Sequence, residues 1–131
     1  AKKLSRETEL PVIEVRAGQL GTNAGFEVDH TVGPAEFLGY IHKAEYVVSN
    51  SFHAVAFSMI YEKRFIAFVH SRLGARVRNI IDIHGLRDRL CEEKPVIDIH
   101  DEIDWENVRK RTKESVRASG EFLLKHLETG E

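Results

Sequence analysis

Short apolar segments alternate with helical patterns along this chain, and the alternation constrains its fold more than any other feature. A strand predicted over 46–49 is followed by a helix over 51–62, whose apolar face is predicted to consist of Phe52, Val55, Ala56, Met59 and Ile60. The aromatic and branched run at 64–70 predicts a second strand, with a helix over 76–84 behind it. Strands and helices that alternate at this spacing form a parallel sheet with helices on both faces. The sequence therefore predicts an α/β fold with an open, Rossmann-like parallel sheet.

The flanking segments extend the same pattern. A helix over 2–9 and a strand over 11–15 lead into a loop with three glycines at 16–25. The helix over 32–44 has a clear start, because Gly33 can cap it and the proline that follows suits the first helical position. Two further elements are predicted downstream. One is a short strand at 94–99, and the other is a long helix over 104–127 with Asp104 as its N-cap. A stripe along one face of this helix is predicted to contain Trp105, Val108, Thr112, Val116, Leu123 and Leu127.

Composition and charge argue against several classes of protein. The net charge is −2 and the pI is near 6.4, so no overall field attracts nucleic acid. No apolar stretch approaches the roughly 20 residues of a membrane span. The one cysteine, Cys91, allows no internal disulfide, and two glutamates beside it do not favour an activated thiol. The histidine spacings match no zinc motif, so we expect no metal.

Positive charge is concentrated between Lys63 and Arg89, where seven Lys or Arg residues face two acidic ones. One interpretation is a solvated surface balanced by the acidic segment behind it. The other is a binding segment for a small anion. In that case Arg76 and Arg78, at the start of a predicted helix, are candidate ligand-binding residues, whereas Arg89 beside Asp88 is predicted to be structural.

The turn after the 46–49 strand is the strongest candidate site. Ligands of open parallel sheets bind beyond the carboxyl ends of the strands, and a helix N-terminus there offers unpaired N–H groups to an anion. Ser49 and Ser51 add hydroxyl donors, and His53 should point toward the mouth of the turn, where it can donate a proton or pair with an oxyanion. The alternative is a helix cap followed by a partly buried histidine.

The stretch GPAEFLGYIHKAEYVVSNSFHAVAFSMIYEKRFIAF, residues 33–68, resembles the C-terminal half of the polysaccharide pyruvyl transferase family. A weaker similarity continues to about residue 90 and places Arg76 and Arg89 at arginines of the family pattern. One departure stands in the helical turn, where Ala54 replaces the usual glycine after Ser-Phe-His. The matching residues are Gly33, Pro34, Glu36, Phe37, Ile41, Ala44, Val47, Ser49, Ser51, Phe52, His53, Phe57 and Ser58.

The resemblance implies an enzyme that transfers the enolpyruvyl unit of phosphoenolpyruvate to two sugar hydroxyls, forming a pyruvate ketal in a surface polysaccharide and releasing phosphate. His53 would then be catalytic, as an acid or hydrogen-bond donor to the departing phosphate. Ser49, Ser51, Arg76 and Arg78 would bind the donor. Glu36 would be either a helix-end charge or a base on the acceptor side. Phosphoenolpyruvate is the donor substrate, and no cofactor is implied.

The resemblance also implies a second domain and a cellular location. Family members have two similar domains in a glycosyltransferase-B-like arrangement, and this chain opens on a helix where a strand is usual. We therefore expect residues 1–131 to form one Rossmann-like C-terminal domain that lacks the N-terminal domain and its own first strand, and to be inactive alone. The implied acceptor is a sugar or lipid-linked saccharide, and the implied location is the cytoplasm, including the inner face of the membrane.

Two other functions remain open from the sequence. A glycosyltransferase of related fold would also need a helix N-terminus for phosphate, but would add a pocket for the base and ribose of a nucleotide-sugar donor. A non-catalytic domain would keep the fold and lose the chemistry, which Ala54 leaves open.

Overall fold

The computed structural model describes residues 1–15, 25, 27–29, 31–69, 74–92 and 98–129. Most of the predicted loop at 16–25 and most of the predicted strand at 94–99 lie outside these residues. The chain forms two compact units, residues 1–44 and 45–131, and each is described by itself.

The first unit contains a parallel pair of strands between two helices. Its elements are α1 (Lys2–Thr8), β1 (Ile13–Val15), β2 (Glu27–Asp29) and α2 (Pro34–Lys43). The hydroxyl of Tyr40 on α2 donates to a carboxylate oxygen of Asp29 at 2.8 Å, which fastens the helix to the end of β2. The sequence did not predict β2, because a three-residue segment with two acidic side chains carries no apolar pattern.

The second unit is built on a three-stranded parallel sheet in the order β3-β4-β5. Val47 pairs with Phe65 in the middle of β3 and β4, and Phe68 pairs with Cys91 where β4 meets β5. The helices α3 and α4 connect successive strands and contact each other. The elements are β3 (Tyr46–Ser49), α3 (Phe52–Ile60), β4 (Arg64–Phe68), α4 (Ala75–Ile83), a 3-10 turn (Arg87–Arg89), β5 (Leu90–Cys91) and α5 (Trp105–Thr129).

The central strand β4 anchors the hydrophobic core of this unit. Phe65, Ile66 and Ala67 are all buried, as expected of a middle strand covered on both faces. Residues from α3, α4 and α5 and from the segments next to β4, α4 and α5 complete the core around it: Val55, Met59, Val69, Val77, Ile81, Leu86, Ile103 and Val108. The predicted α/β class with open parallel sheets is confirmed, while the glycosyltransferase-B-like arrangement of two domains stays a prediction.

Both crossover helices end in the same way, with a residue in the left-handed region. Gly85 has a φ of 70° after α4, and Leu86 N–H closes the turn on the carbonyl of Ile81 at 2.9 Å. After α3 the corresponding residue is Glu62, with a φ of 52°, and Lys63 N–H donates to Ser58. The predicted bounds of these two helices agree with the observed ones to within about two residues.

The buried face of α3 differs from the prediction. The sequence pattern placed Ile60 on the apolar face, yet this side chain is 67% exposed. The helix instead buries a face that includes Ala54 and Ser58. Small residues allow the helix to approach its neighbours closely, and the Ser58 hydroxyl can be buried because it donates to the carbonyl of Ala54 at 2.7 Å.

Helix α5 is buried only near its beginning. Asp104 caps it as predicted, its carboxylate accepting from Asn107 N–H at 3.0 Å, and Val108 reaches the core. Further along the predicted stripe the side chains of Val116, Leu123 and Leu127 are 67%, 59% and 78% exposed. A helix of 25 residues is about 37 Å long. The core therefore covers only its first turns. No helix in the described part of the chain is both long and apolar enough to cross a membrane.

Candidate functional site

The carboxyl end of β3 passes directly into the N-terminus of α3, as the sequence predicted. Ser51 is the N-cap, its hydroxyl oxygen accepting from Ala54 N–H at 3.5 Å. The hydroxyl oxygen of Ser49 accepts from Ser51 N–H at 3.0 Å. Since a serine hydroxyl also carries one donor, each O–H remains able to turn toward an oxyanion.

The first turn of α3 presents backbone donors to the same place. The helix bonds begin at Val55, whose N–H donates to the carbonyl of Ser51. Within the described residues, no group accepts from the N–H of Phe52 or His53. Two N–H groups and the positive end of the helix dipole therefore face outward at the end of the strand, the usual arrangement for binding an anion.

His53 stands at the second position of α3 and is exposed. Its ring packs against that of Phe52 in a T-shaped contact, with centroids 5.7 Å apart. The exposure agrees with the predicted orientation toward the mouth of the turn and disagrees with a partly buried histidine. The catalytic role assigned to His53 stays a prediction.

Arg76 reaches the same region from another element. It is the second residue of α4, it is exposed, and the carbon of its guanidinium lies 5.6 Å from the centroid of the Phe52 ring. The starts of α3 and α4 therefore lie side by side. The ring of Phe52 contacts both His53 and Arg76, and this contact brings together the predicted acid and one predicted anion-binding residue.

The position of the start of α4 is fixed because its N-cap, Gly74, lies very close to Val69, the residue after β4. Gly74 is buried, and a Cβ atom added there would come within 2.6 Å of the Cβ of Val69. No side chain fits this gap without a shift of the backbone. The glycine therefore sets how near α4, and with it Arg76, lies to the end of β4.

Two other predicted site residues have different surroundings. The Nε of Arg78 donates to a carboxylate oxygen of Glu92 at 2.9 Å, so this arginine forms an ion pair beyond β5. Glu36 lies in the first turn of α2, in the first unit, with its carboxylate folded back toward Gly33. That position favours a helix-end charge. The substrate-binding roles of both residues stay predictions.

Ala54, which replaces the family glycine, is only 4% exposed. Its methyl group is buried within the fold rather than lying on the outer side of the helical turn. The extra methyl therefore does not occupy the surface where the N–H groups of Phe52 and His53 are presented.

Arg89 and Cys91 are buried away from this surface. One Nη of Arg89 donates to the carbonyls of Asp101 and Glu102 at 2.7 and 3.3 Å, which agrees with a structural role. Burial lowers the pKa of Arg89 and raises the pKa of the Cys91 thiol, as expected for an unactivated cysteine. Among the residues that the structure describes, no cluster of three His, Cys, Asp or Glu side chains is placed to share a metal ion.

Comparison with known families decides the relationship. The profile described as polysaccharide pyruvyl transferase matches residues 5–72, just over half of the chain. The chain belongs to the polysaccharide pyruvyl transferase family. The matched segment begins well before the residues that first carried the resemblance and includes Ser49, Ser51 and His53. It ends before Arg76 and Arg78, so the match does not extend to these two residues. Comparison with curated proteins gave no significant match, and neither did comparison with solved structures.

The sequence did not reveal that Phe52 contacts two candidate site residues, His53 and Arg76. Phe52 was assigned to the apolar face of α3 because of its spacing. The family motif Ser51-Phe52-His53 was the available signal, but a motif does not say which other helix lies beside it.

Proposed function

We propose that the chain is the donor-binding domain of a polysaccharide pyruvyl transferase, with phosphoenolpyruvate as the donor. The observation that carries the proposal is the meeting of His53 and Arg76 on the ring of Phe52, beside the unpaired N–H groups of α3. The family is a transferase family, and this surface combines the groups that a phosphorylated small acid requires.

The proposed chemistry is a transfer between one donor and two hydroxyls. One sugar hydroxyl adds to the carbon that bears the phosphate, while the methylene carbon takes up a proton and becomes a methyl group. The phosphate then leaves with its oxygen, and the second hydroxyl takes its place. The products are the ketal and inorganic phosphate, so no oxidant or cofactor is consumed.

The proposed roles follow from where charge develops. His53 donates a proton or a hydrogen bond to the phosphate oxygen as it leaves. Ser49, Ser51 and the N–H groups of α3 hold the phosphate. Arg76 binds phosphate or carboxylate through its planar donors. Arg78 binds the donor through its Nη groups, since the described contact with Glu92 uses only Nε.

We further propose that the acceptor, a sugar or lipid-linked saccharide, binds mainly to an additional domain in a longer protein, in a glycosyltransferase-B-like arrangement. Glu36 is then either a helix-end charge or an acceptor-side base. The proposed product is an exopolysaccharide precursor made in the cytoplasm or at the inner face of the membrane.

Calorimetry on this chain tests the donor assignment. We expect phosphoenolpyruvate to bind more tightly than inorganic phosphate, because it adds a carboxylate, and more tightly than a nucleoside monophosphate. Preference for the nucleotide would instead indicate a nucleotide-sugar-dependent enzyme. If circular dichroism shows that the chain is folded and it binds none of the three, the domain does not bind a phosphorylated donor.

A further inference from the structure

Phe52 lies between the two side chains on which the proposed function depends. Its ring centroid is 5.7 Å from that of His53 and 5.6 Å from the guanidinium carbon of Arg76. We propose that Phe52 is a positioning residue, which holds the Arg76 guanidinium beside the N-terminus of α3 so that it can receive the anionic donor. This inference rests on the proposed function for the identity of the donor.

Phe52 is suited to this task because one side of it is fixed. It is the first residue of α3, it is half-buried, and it packs against the hydrophobic core of the second unit. Core packing restricts the rotamers of the side chain. The part of the ring that reaches the surface is therefore a rigid platform rather than a mobile one.

Arg76 needs such a platform because its own surroundings do not hold it. It stands in the first turn of α4, where the positive end of the helix dipole disfavours a cation. Within the described part of the chain, no carboxylate lies within ion-pair distance of its guanidinium. Contact with an aromatic face is the attraction that remains.

This kind of contact leaves the arginine available for a ligand. A carboxylate partner would occupy the N–H donors of the guanidinium, whereas an aromatic face attracts the cation and leaves those donors unpaired. The arginine is thus oriented without being neutralised. A phosphate or carboxylate arriving at the start of α3 finds its donors already in place.

A double-mutant cycle on donor affinity tests the inference. Phe52→Leu keeps an apolar side chain and removes the aromatic face, Phe52→Tyr keeps the face, and Arg76→Met removes the cation. We expect Phe52→Leu to weaken phosphoenolpyruvate binding by about two- to fivefold, the size of an exposed cation–π contact, and Phe52→Tyr to restore it. In the Arg76→Met background, Phe52→Leu should have almost no further effect.

A purely structural role for Phe52 would give a different result. The losses from Phe52→Leu and Arg76→Met would then multiply in the double variant, and this outcome would overturn the inference. A second readout is the NMR shift of the Arg76 side-chain protons, which the ring current of an aromatic neighbour displaces. The displacement should vanish in Phe52→Leu and persist in Phe52→Tyr.

The experiment separates this inference from the proposed function. If the wild-type chain binds neither phosphoenolpyruvate nor phosphate, the proposed donor site is wrong, and the same cycle is measured on urea unfolding. Coupling between Phe52 and Arg76 in the unfolding equilibrium, together with the ring-current shift, would still support a positioned arginine. Additive unfolding effects or an undisplaced spectrum would end the inference.

Discussion

Charged side chains have opposite surroundings at the two ends of the parallel strands. We call the N-terminal ends of the strands the amino edge of the sheet and their C-terminal ends the carboxyl edge. At the amino edge Arg64 lies 3.5 Å from Glu102 and 3.9 Å from Glu45, and the hydroxyl of Tyr46 meets a ring nitrogen of His100 at 2.9 Å. At the carboxyl edge His53 and Arg76 are exposed and share an aromatic ring. Groups that are paired within the protein hold it together, whereas groups without a charged partner are available to a ligand.

Arg89 is a buried example of a charged group that is paired within the protein. Its side chain is 1% exposed and donates to the carbonyls of Asp101 and Glu102, tying β5 to the segment that leads into α5. Its Nε and other Nη have no hydrogen-bond partner among the described groups. The two carbonyls, together with the Asp88 carboxylate 3.7 Å from Nε, offset part of the cost of burying this cation.

The contrast predicts its largest effect at His53. In the longer protein that we expect to contain this chain, His53→Ala should lower the rate of ketal formation by about 100-fold or more, the contribution usual for a positioned acid. The unfolding midpoint should not change, because the side chain is exposed. The matched control is His126→Ala on α5. Turnover close to the wild-type rate would show that His53 is not the acid.

The next effect belongs to the amino edge and concerns stability rather than activity. Arg89→Ala should reduce the free energy of unfolding by about 3 kcal/mol, because it leaves a cavity at a buried position and removes the hydrogen bonds to the carbonyls of Asp101 and Glu102. Arg87→Ala is the control, since its pair with Asp82 is exposed and should contribute less than about 1 kcal/mol. Equal losses in urea denaturation would contradict the contrast between buried and exposed arginines.

The same substitution made at each of the two edges gives a sharper test, with a smaller effect. Arg76→Met should weaken phosphoenolpyruvate binding by about tenfold, the size of one charge-assisted hydrogen bond. Arg64→Met, which removes a cation from the opposite edge, should leave this affinity unchanged. If both variants lower the affinity equally in calorimetry, the anion responds to overall charge and not to a site.

Ser51 separates helix capping from ligand binding. Ser51→Ala should reduce the free energy of unfolding by about 1 kcal/mol, the usual value for a lost N-cap. Ser51→Asp keeps a capping oxygen and should keep the stability, but its negative charge should repel the donor. A variant that keeps both stability and affinity would mean that no anion approaches this turn.

The smallest effect concerns Cys91, a carboxyl-edge group that is buried and thus unlike its neighbours. Burial raises the pKa of its thiol, so the folded state favours the neutral form. Its contribution is fully present below the ordinary thiol pKa of about 8.5 and is lost as the pH rises through the raised value. The stability difference between wild type and Cys91→Ala should therefore shrink in alkaline urea titrations. If the stability difference between the two proteins stays constant as the pH rises, the folded state does not raise the pKa of this thiol.

Much of the second unit could be predicted because local signals agree with the fold. A serine cap, an apolar run and a helical period define β3 and α3, and Asp104 marks the start of α5. The two-residue strand β5 could not be predicted, since it depends on pairing with β4 and not on its own pattern. The exposure of Leu127 was missed for a related reason, because periodicity shows which side chains share a helix face but not what covers that face.

The candidate site was predictable at His53 and less so elsewhere. The end of a strand and the start of a helix are adjacent in sequence, so Ser49, Ser51 and His53 could be grouped without a structure. The contact of Arg76 with Phe52 joins two helices separated by a strand, and only the packing of α3 on α4 determines it. The pairing of Arg78 with Glu92, 14 residues further along the chain, is likewise determined by packing and not by a local pattern.

The glycine at the start of α4 has a consequence for adjusting the proposed site. With no room beside Val69 for even one methyl group, residue 74 works as a spacer of the smallest possible thickness. Replacing it with alanine would wedge the helix outward and carry the guanidinium of Arg76 away from its ring. Under the proposed function, residue 74 would thus set donor affinity without being one of the proposed contact residues.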